Sequence, residues 1–174
     1  EWRRRQALSF KHDAGRRQSL LAYRLLCQGL REEYGITEPP TFVYGEHGKP
    51  CLAPLYPPMR GAWEPDGPHF SLSHCREAVC CAISDRPVGI DIEAVDRKVS
   101  DSLIRYTMTD EERRLAASEG SLAFLRLWTR KEAVAKLLGT GIRDDFRDIL
   151  SRGDFRIETH ASDRWVMSVA THRE

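Results

Sequence analysis

Residues 88–93, Val-Gly-Ile-Asp-Ile-Glu, constrain the fold more tightly than any other stretch of this chain. Strand side chains alternate between two faces. Val88, Ile90 and Ile92 therefore form an apolar face, while Asp91 and Glu93 project together from the other. Burying the apolar face would hold the two acids side by side. Carboxylates so placed repel each other unless they share a proton or a cation. Hard oxygen donors of this kind suit Mg²⁺, which usually takes a few carboxylates together with water and phosphate oxygens. The same pair also fits a solvated strand edge, so the Asp-x-Glu spacing alone leaves both readings open.

The elements around this strand predict an α+β fold. Residues 13–34 carry Leu21, Leu25, Leu26 and Leu30 at helical spacing, and Gly35 is placed to end the helix. "TFVYGEHGKPCL" reads as two short strands around a turn, "HFSLSH" as an alternating strand, and "AVCCAIS" and "PVGIDIE" as strands either side of a turn at Asp85-Arg86-Pro87. Residues 54–68, rich in Pro and Gly, read as a surface loop. In the second half, Thr109 and Glu112 have capping-box spacing. Ser121 can cap a longer helix that Gly139 stops, and "DFRIETH" and "RWVMSVATH" form a terminal hairpin. Each half thus has a helix against short antiparallel strands. The predicted division is 1–86 and 87–174, with a site between two like halves.

The long helix supplies further chemistry. In "LWTRKEAVAK", Trp128, Glu132 and Lys136 fall at i, i+4 and i+8 on one helical face. Glu132 and Lys136 could be an ordinary surface ion pair, but Trp128 on the same face argues for burial. If Glu132 meets Asp91 and Glu93, three acids demand a cation. Elsewhere, Gly48-Lys49-Pro50 offers a turn with one cation, and Ser73-His74 ends a strand with a hydroxyl and an imidazole. Either pair could grip phosphate, and either could be only a local turn or hydrogen bond. No G-x-S-x-G elbow surrounds Ser73, so nothing marks it as a hydrolase nucleophile.

Composition narrows the class. Of 174 residues, 41% are apolar and 30% charged, and the formal net charge is +1, which gives no global pull toward nucleic acid or membrane. The first 24 residues are locally basic, with Arg3, Arg4, Arg5, Lys11, Arg16, Arg17 and Arg24 against Glu1 and Asp13; this suits an anionic ligand or a solvated helix face. Five cysteines without a C-x-x-C pair argue against zinc and for reduced thiols. With no apolar leader or membrane-length run, a cytoplasmic protein is expected.

Taken in order, "GKP … FSLSH … GIDIE … LWTRKEAVAK" resembles the 4′-phosphopantetheinyl transferases of the Sfp type, over residues 10–142. Four modest motifs in register make the resemblance specific. The related holo-acyl-carrier-protein synthases share the W-x-x-K-E-A-x-x-K helix and the "GTG" at 139–141, but are half the size and lack a second strand acid such as Glu93. The resemblance implies a monomeric pseudo-dimer of two α+β halves. It also implies Mg²⁺-dependent transfer (with Mn²⁺ an alternative) of the phosphopantetheine arm of coenzyme A to a serine of an apo acyl or peptidyl carrier protein, releasing adenosine 3′,5′-bisphosphate. Such enzymes serve fatty-acid or secondary-metabolite synthesis.

By match to the family motifs, Asp91, Glu93 and Glu132 hold the metal. Lys49 and His74 bind the 3′-phosphate and adenosine region, with Gly48 and Pro50 in the adjoining turn. Ser73 and Lys136 hold the pyrophosphate, and Lys136 and Glu132 are the catalytic pair, with Glu132 as the first candidate for proton acceptor. Arg17 and Arg5 are the basic candidates in the first helix and N-terminal stretch. The family's usual first strand is absent and the chain opens on Glu1, which suggests a trimmed start. Two other readings are a metal-dependent nuclease or phosphohydrolase, from Asp91 with Asp96-Arg97-Lys98, and a non-catalytic module that binds carrier proteins.

Overall fold

A computed structural model describes residues 13–53, 67–143 and 145–173. Helix α1 (Asp13–Tyr34) precedes two hairpins, β1 (Phe42–Tyr44) with β2 (Pro50–Leu52) and β3 (His69–His74) with β4 (Val79–Ser84). Strand β5 (Val88–Ala94) leads to helices α2 (Asp101–Thr107), α3 (Asp110–Glu119) and α4 (Ser121–Leu138). A 3₁₀ turn (Phe146–Arg152) and strands β6 (Phe155–Ala161) and β7 (Trp165–His172) complete the order. The fold is α+β. Helix α1 packs on β3–β4, and α4 packs on a sheet of order β5-β7-β6. That arrangement is compatible with two like halves.

Most local signals correspond to what forms. Gly35 adopts positive φ, its N–H donates to Arg31, and α1 ends there. The Thr109–Glu112 capping box closes reciprocally, and Gly139 ends α4 in the left-handed region. The last two strands pair as the antiparallel hairpin β6–β7.

One expectation needs correcting. Ser121 does not cap α4: Gly120 occupies the cap position and no side chain bonds to the helix amides there. Leu21 and Leu25 are 47% and 38% exposed, because α1 buries the stripe Ala22, Leu26 and Leu30 instead. Helical spacing identifies a stripe, but which neighbouring stripe is covered depends on where β4 lies. The turn at 85–87 joins β4 to β5 as expected. It hands the chain from the β3–β4 sheet to the other sheet, where β5 pairs with β7. Helix α2 and the 3₁₀ turn were not read from the sequence.

Strand β5 positions the site. Its register with β7 sets Gly89, Asp91 and Glu93 opposite Ala170, Ser168 and Val166, a shared face lying under α4. The other face, Val88, Ile90 and Ile92, is buried as expected, with Ile92 packing against Cys80, Trp165 and Met167. Gly89 makes the approach of α4 possible. A Cβ there would lie 1.9 Å from the Ala133 carbonyl oxygen and 2.5 Å from the Leu137 nitrogen. The free edge of β5 is joined to β3 through hydroxyls: Ser71 Oγ accepts from Ile90 N–H at 3.0 Å and Ser73 Oγ from Ile92 N–H at 3.4 Å. The alternation in "FSLSH" thus knits the two sheets.

Helix α4 is anchored by Lys131, whose side chain is 0% exposed. Its ammonium donates to Glu112 Oε2 at 2.6 Å, to the Thr107 carbonyl at 2.9 Å and to the Arg147 carbonyl. Three full donors compensate the desolvation of the buried charge. The Lys of "RKEA" therefore ties α4 to α2, to the capping box of α3 and to the 3₁₀ turn. Among the described residues, no helix is long and apolar enough to cross a membrane.

Candidate functional site

Where α4 crosses the acidic face of β5, a cavity of about 310 Å³ is lined by Ser73, His74, Asp91, Glu93, Arg97, Trp128, Glu132 and Lys136. Residues from both sides of the 86/87 division contribute. A second cavity, of about 230 Å³, is lined by His47, Gly48, Lys49, Pro50, Ser71, Gly139 and Gly141 among others, and shares Glu132 and Lys136 with the first. The structure thus brings together Gly48, Lys49 and Pro50 in one cavity and Ser73, His74, Asp91 and Glu93 in the other, with Glu132 and Lys136 bordering both.

The polar contacts have a clear centre. Lys136 Nζ donates to Asp91 Oδ1 at 2.7 Å and to Ser73 Oγ at 2.8 Å, and Ser73 Oγ donates to the same carboxylate oxygen at 2.8 Å. Asp91 is buried, and its second oxygen, Oδ2, is buried with no hydrogen-bond partner. Glu93 Oε1 accepts from Trp128 Nε1 at 3.1 Å and pairs with Arg97. Lys49 donates to the Leu137 carbonyl at 2.7 Å, satisfying one of the open carbonyls at the C-terminus of α4. His47, which lines the second cavity, meets Arg143 through Nδ1 at 2.7 Å.

Electrostatics follow from this crowding. Burial, then the charges of Asp91 and Glu93, push the Glu132 carboxyl up to about 7, with Lys136 opposing. Burial raises Glu93 as well; Arg97 counteracts it and Asp91 adds to it. His74 is lowered by burial and by the nearby Lys136 charge, and burial also lowers Lys49. A site with three acids, two of them made reluctant to ionise by burial, has an excess of oxygen ligands.

That excess bears on the metal reading. As the side chains stand, no three His, Cys, Asp or Glu residues among those described are grouped closely enough to hold an ion. Glu93 is engaged by Arg97 and Trp128 instead. The donor chemistry nevertheless fits a hard cation: three carboxylates line one cavity, and the orphaned Asp91 Oδ2 has a buried lone pair with nothing to bind.

Other sequence candidates lie elsewhere. Arg17 lines a separate concavity of about 560 Å³ between α1 and the β3–β4 turn, with Gln18, Leu21, Leu25 and Arg76. Gln18 donates to the Cys75 carbonyl at 2.6 Å. Arg5 lies outside the described residues, as does most of the 54–68 loop. Asp96, part of the nuclease pattern, pairs with Arg76 at 2.6 Å on an exposed surface. Residues that sequence reasoning did not assign to the site are Arg97, Ser71 and Gly89. Ser71 had a signal in its i, i+2 spacing to Ser73. Gly89 had the general one, since glycine within a strand often marks close backbone approach.

Comparison with known proteins agrees with this geometry. Residues 87–172 match the family model of the 4′-phosphopantetheinyl transferase superfamily. The chain is 29% identical over 144 residues to "4′-phosphopantetheinyl transferase Sfp" of Bacillus subtilis, covering 80% of this chain and 60% of that one. It is 32% identical over 133 residues to "4′-phosphopantetheinyl transferase AcpT" of Salmonella typhimurium, covering 71% and 60%. Over a shorter span of 79 residues it is 43% identical to "4′-phosphopantetheinyl transferase psf-1" of Bacillus pumilus, covering 42% and 33%. The chain thus spans no more than about 60% of the length of these relatives.

Proposed function

Because this chain belongs to the 4′-phosphopantetheinyl transferase superfamily, we propose that it moves the phosphopantetheine arm of coenzyme A onto a serine of an apo acyl or peptidyl carrier protein. Adenosine 3′,5′-bisphosphate leaves. The observation that carries this reading is the convergence of Asp91, Glu93, Glu132 and Lys136 on one cavity within the family-matched segment.

Roles follow from position and charge. Lys49 and His74, with the backbone at Gly48 and Pro50, receive the 3′-phosphate and adenosine end in the two adjoining cavities. Lys136 and Ser73 hold the pyrophosphate, and Arg17 and Arg5 add basic contacts at the N-terminal side. Asp91, Glu93 and Glu132 would hold Mg²⁺, or Mn²⁺, which supplies positive charge against the pyrophosphate oxygens. The carrier serine oxygen forms a bond to the phosphorus nearer pantetheine, and the bridging P–O bond breaks. The serine proton passes to Glu132, whose carboxyl burial pushes up to about 7 in the metal-free protein. Lys136 offsets the charge on the departing phosphate. Phosphoryl transfer depends mainly on such positioning and charge stabilisation. In this reading residues 1–86 form the coenzyme A side and 87–174 the metal side of a monomer. Its five free thiols suit a cytoplasmic setting.

Incubation with apo-carrier, coenzyme A and Mg²⁺ tests the proposal by mass spectrometry. The expected result is a gain of one phosphopantetheine arm on the carrier, lost in Asp91→Ala while the fold persists by circular dichroism. Failure with several carriers, or nuclease activity in its place, overturns it.

A further inference from the structure

Strand β5 ends in a tight turn, Arg97 N–H donating to the Ala94 carbonyl at 3.0 Å, which folds the chain back over its own acidic face. The turn returns Arg97 to Glu93, four residues earlier, and the two form an ion pair inside the site cavity. Arg97 is also held from a second side. Its guanidinium lies 4.7 Å from the centre of the Trp128 ring, and Trp128 donates its indole N–H to the same Glu93 oxygen that Arg97 contacts. The three side chains make a closed unit, in which a cation–π contact and two donors serve one half-buried carboxylate.

We propose that Arg97 is a displaceable counter-ion: it neutralises Glu93 in the metal-free protein and must give up that carboxylate when a divalent cation binds. Resting on the metal reading given above, this deepens it. The geometry supplies the reason. Glu93 Oε1 is already bound to two donors, whereas the buried Asp91 Oδ2 beside it has none. The cavity therefore holds one carboxylate oxygen ready for a cation and one occupied by an internal cation. Arg97 cannot shed its charge near neutral pH, so it yields only by moving. Its side chain is 28% exposed and opens toward the cavity, and once released it stays among the groups that line the phosphate-binding space. The exchange would couple metal entry to the arrival of a free guanidinium for a diphosphate.

Metal binding without substrate tests this directly. Mn²⁺ is titrated into the protein and followed by electron paramagnetic resonance, for wild type, Arg97→Gln and Arg97→Lys. Removing a unit positive charge a few ångströms from a divalent ion, and freeing one ligand, is expected to tighten Mn²⁺ binding in Arg97→Gln by roughly tenfold or more. Arg97→Lys, which keeps the charge, should stay near wild type. The metal-free melting temperature of Arg97→Gln should fall, and its rise on adding Mn²⁺ should exceed that of wild type. A merely structural Arg97 would lower stability without tightening the metal. Equal or weaker Mn²⁺ binding in Arg97→Gln overturns the counter-ion proposal and leaves the metal site standing. Absence of Mn²⁺ binding in both wild type and Arg97→Gln overturns both.

Discussion

Replacing Gly89 with alanine should separate α4 from β5 and damage the site without touching any residue that lines it. The added Cβ would sit 1.9 Å from the Ala133 carbonyl oxygen, 2.5 Å from the Leu137 nitrogen and 3.0 Å from the Ala133 carbonyl carbon. All three are backbone atoms of α4, so no side-chain rotation relieves the clash. Non-bonded heavy atoms settle near 3.5 Å, so the helix must withdraw by about 1.5 Å. Overpacking of this kind costs about 1–3 kcal/mol, and a rigid backbone on both sides puts Gly89→Ala at the upper end. For a chain this long, that lowers the melting temperature by roughly 6–12 °C. The withdrawal also stretches the 2.7 Å and 2.8 Å bonds from Lys136 to Asp91 and Ser73. Misplacing a catalytic group by about 1 Å can cost on the order of a hundredfold in rate. Thermal melting and the initial rate of carrier modification read both effects. Gly45→Ala is the control, because its Cβ would meet only the Lys49 carbonyl oxygen at an ordinary 3.7 Å. If Gly89→Ala melts within about 2 °C of wild type and keeps its rate, the account of helix approach is wrong.

Two further substitutions probe charge burial. Glu132 is pushed up to about 7 from an ordinary 4.5, so its folded form holds a proton that the unfolded chain releases. The corresponding stability is fully present below about pH 4.5 and lost as pH rises through about 7, an effect on the order of 3 kcal/mol. Glu132→Gln should therefore melt close to wild type at pH 4.5 and roughly 6–12 °C above it at pH 8 without metal, yet be inactive in transfer. A gap that does not widen with pH would contradict the burial argument. Lys131→Met removes the buried ammonium from Glu112 and two carbonyls, and should cost about 3–5 kcal/mol in urea unfolding. A loss below about 1 kcal/mol would mean that surrounding groups re-pair readily.

What was legible in the sequence was local. Alternation put Asp91 and Glu93 on one face of β5, helical spacing aligned Trp128, Glu132 and Lys136, and turn and cap residues marked where elements stop. Each signal lies within a single element, so chain geometry alone carries it. The resemblance to a family then joined these pieces into one site, which none of them could do alone.

The sequence by itself determined which side chains could act together along each strand or helix. Tertiary structure decided what they meet. Lys136 reaches Asp91 across 45 positions and Ser73 across 63, because Gly89 lets α4 lie against β5. Arg97 comes back to Glu93 through a turn that no strand periodicity predicts, and Lys131, beside Glu132 in sequence, points into the core toward Glu112. Leu21 and Leu25 stay exposed although their spacing matches a buried stripe. The physical reason is common to all of these. Burial, ion pairing and close backbone approach are set by which surfaces pack, and that depends on the whole chain rather than on any one segment of it.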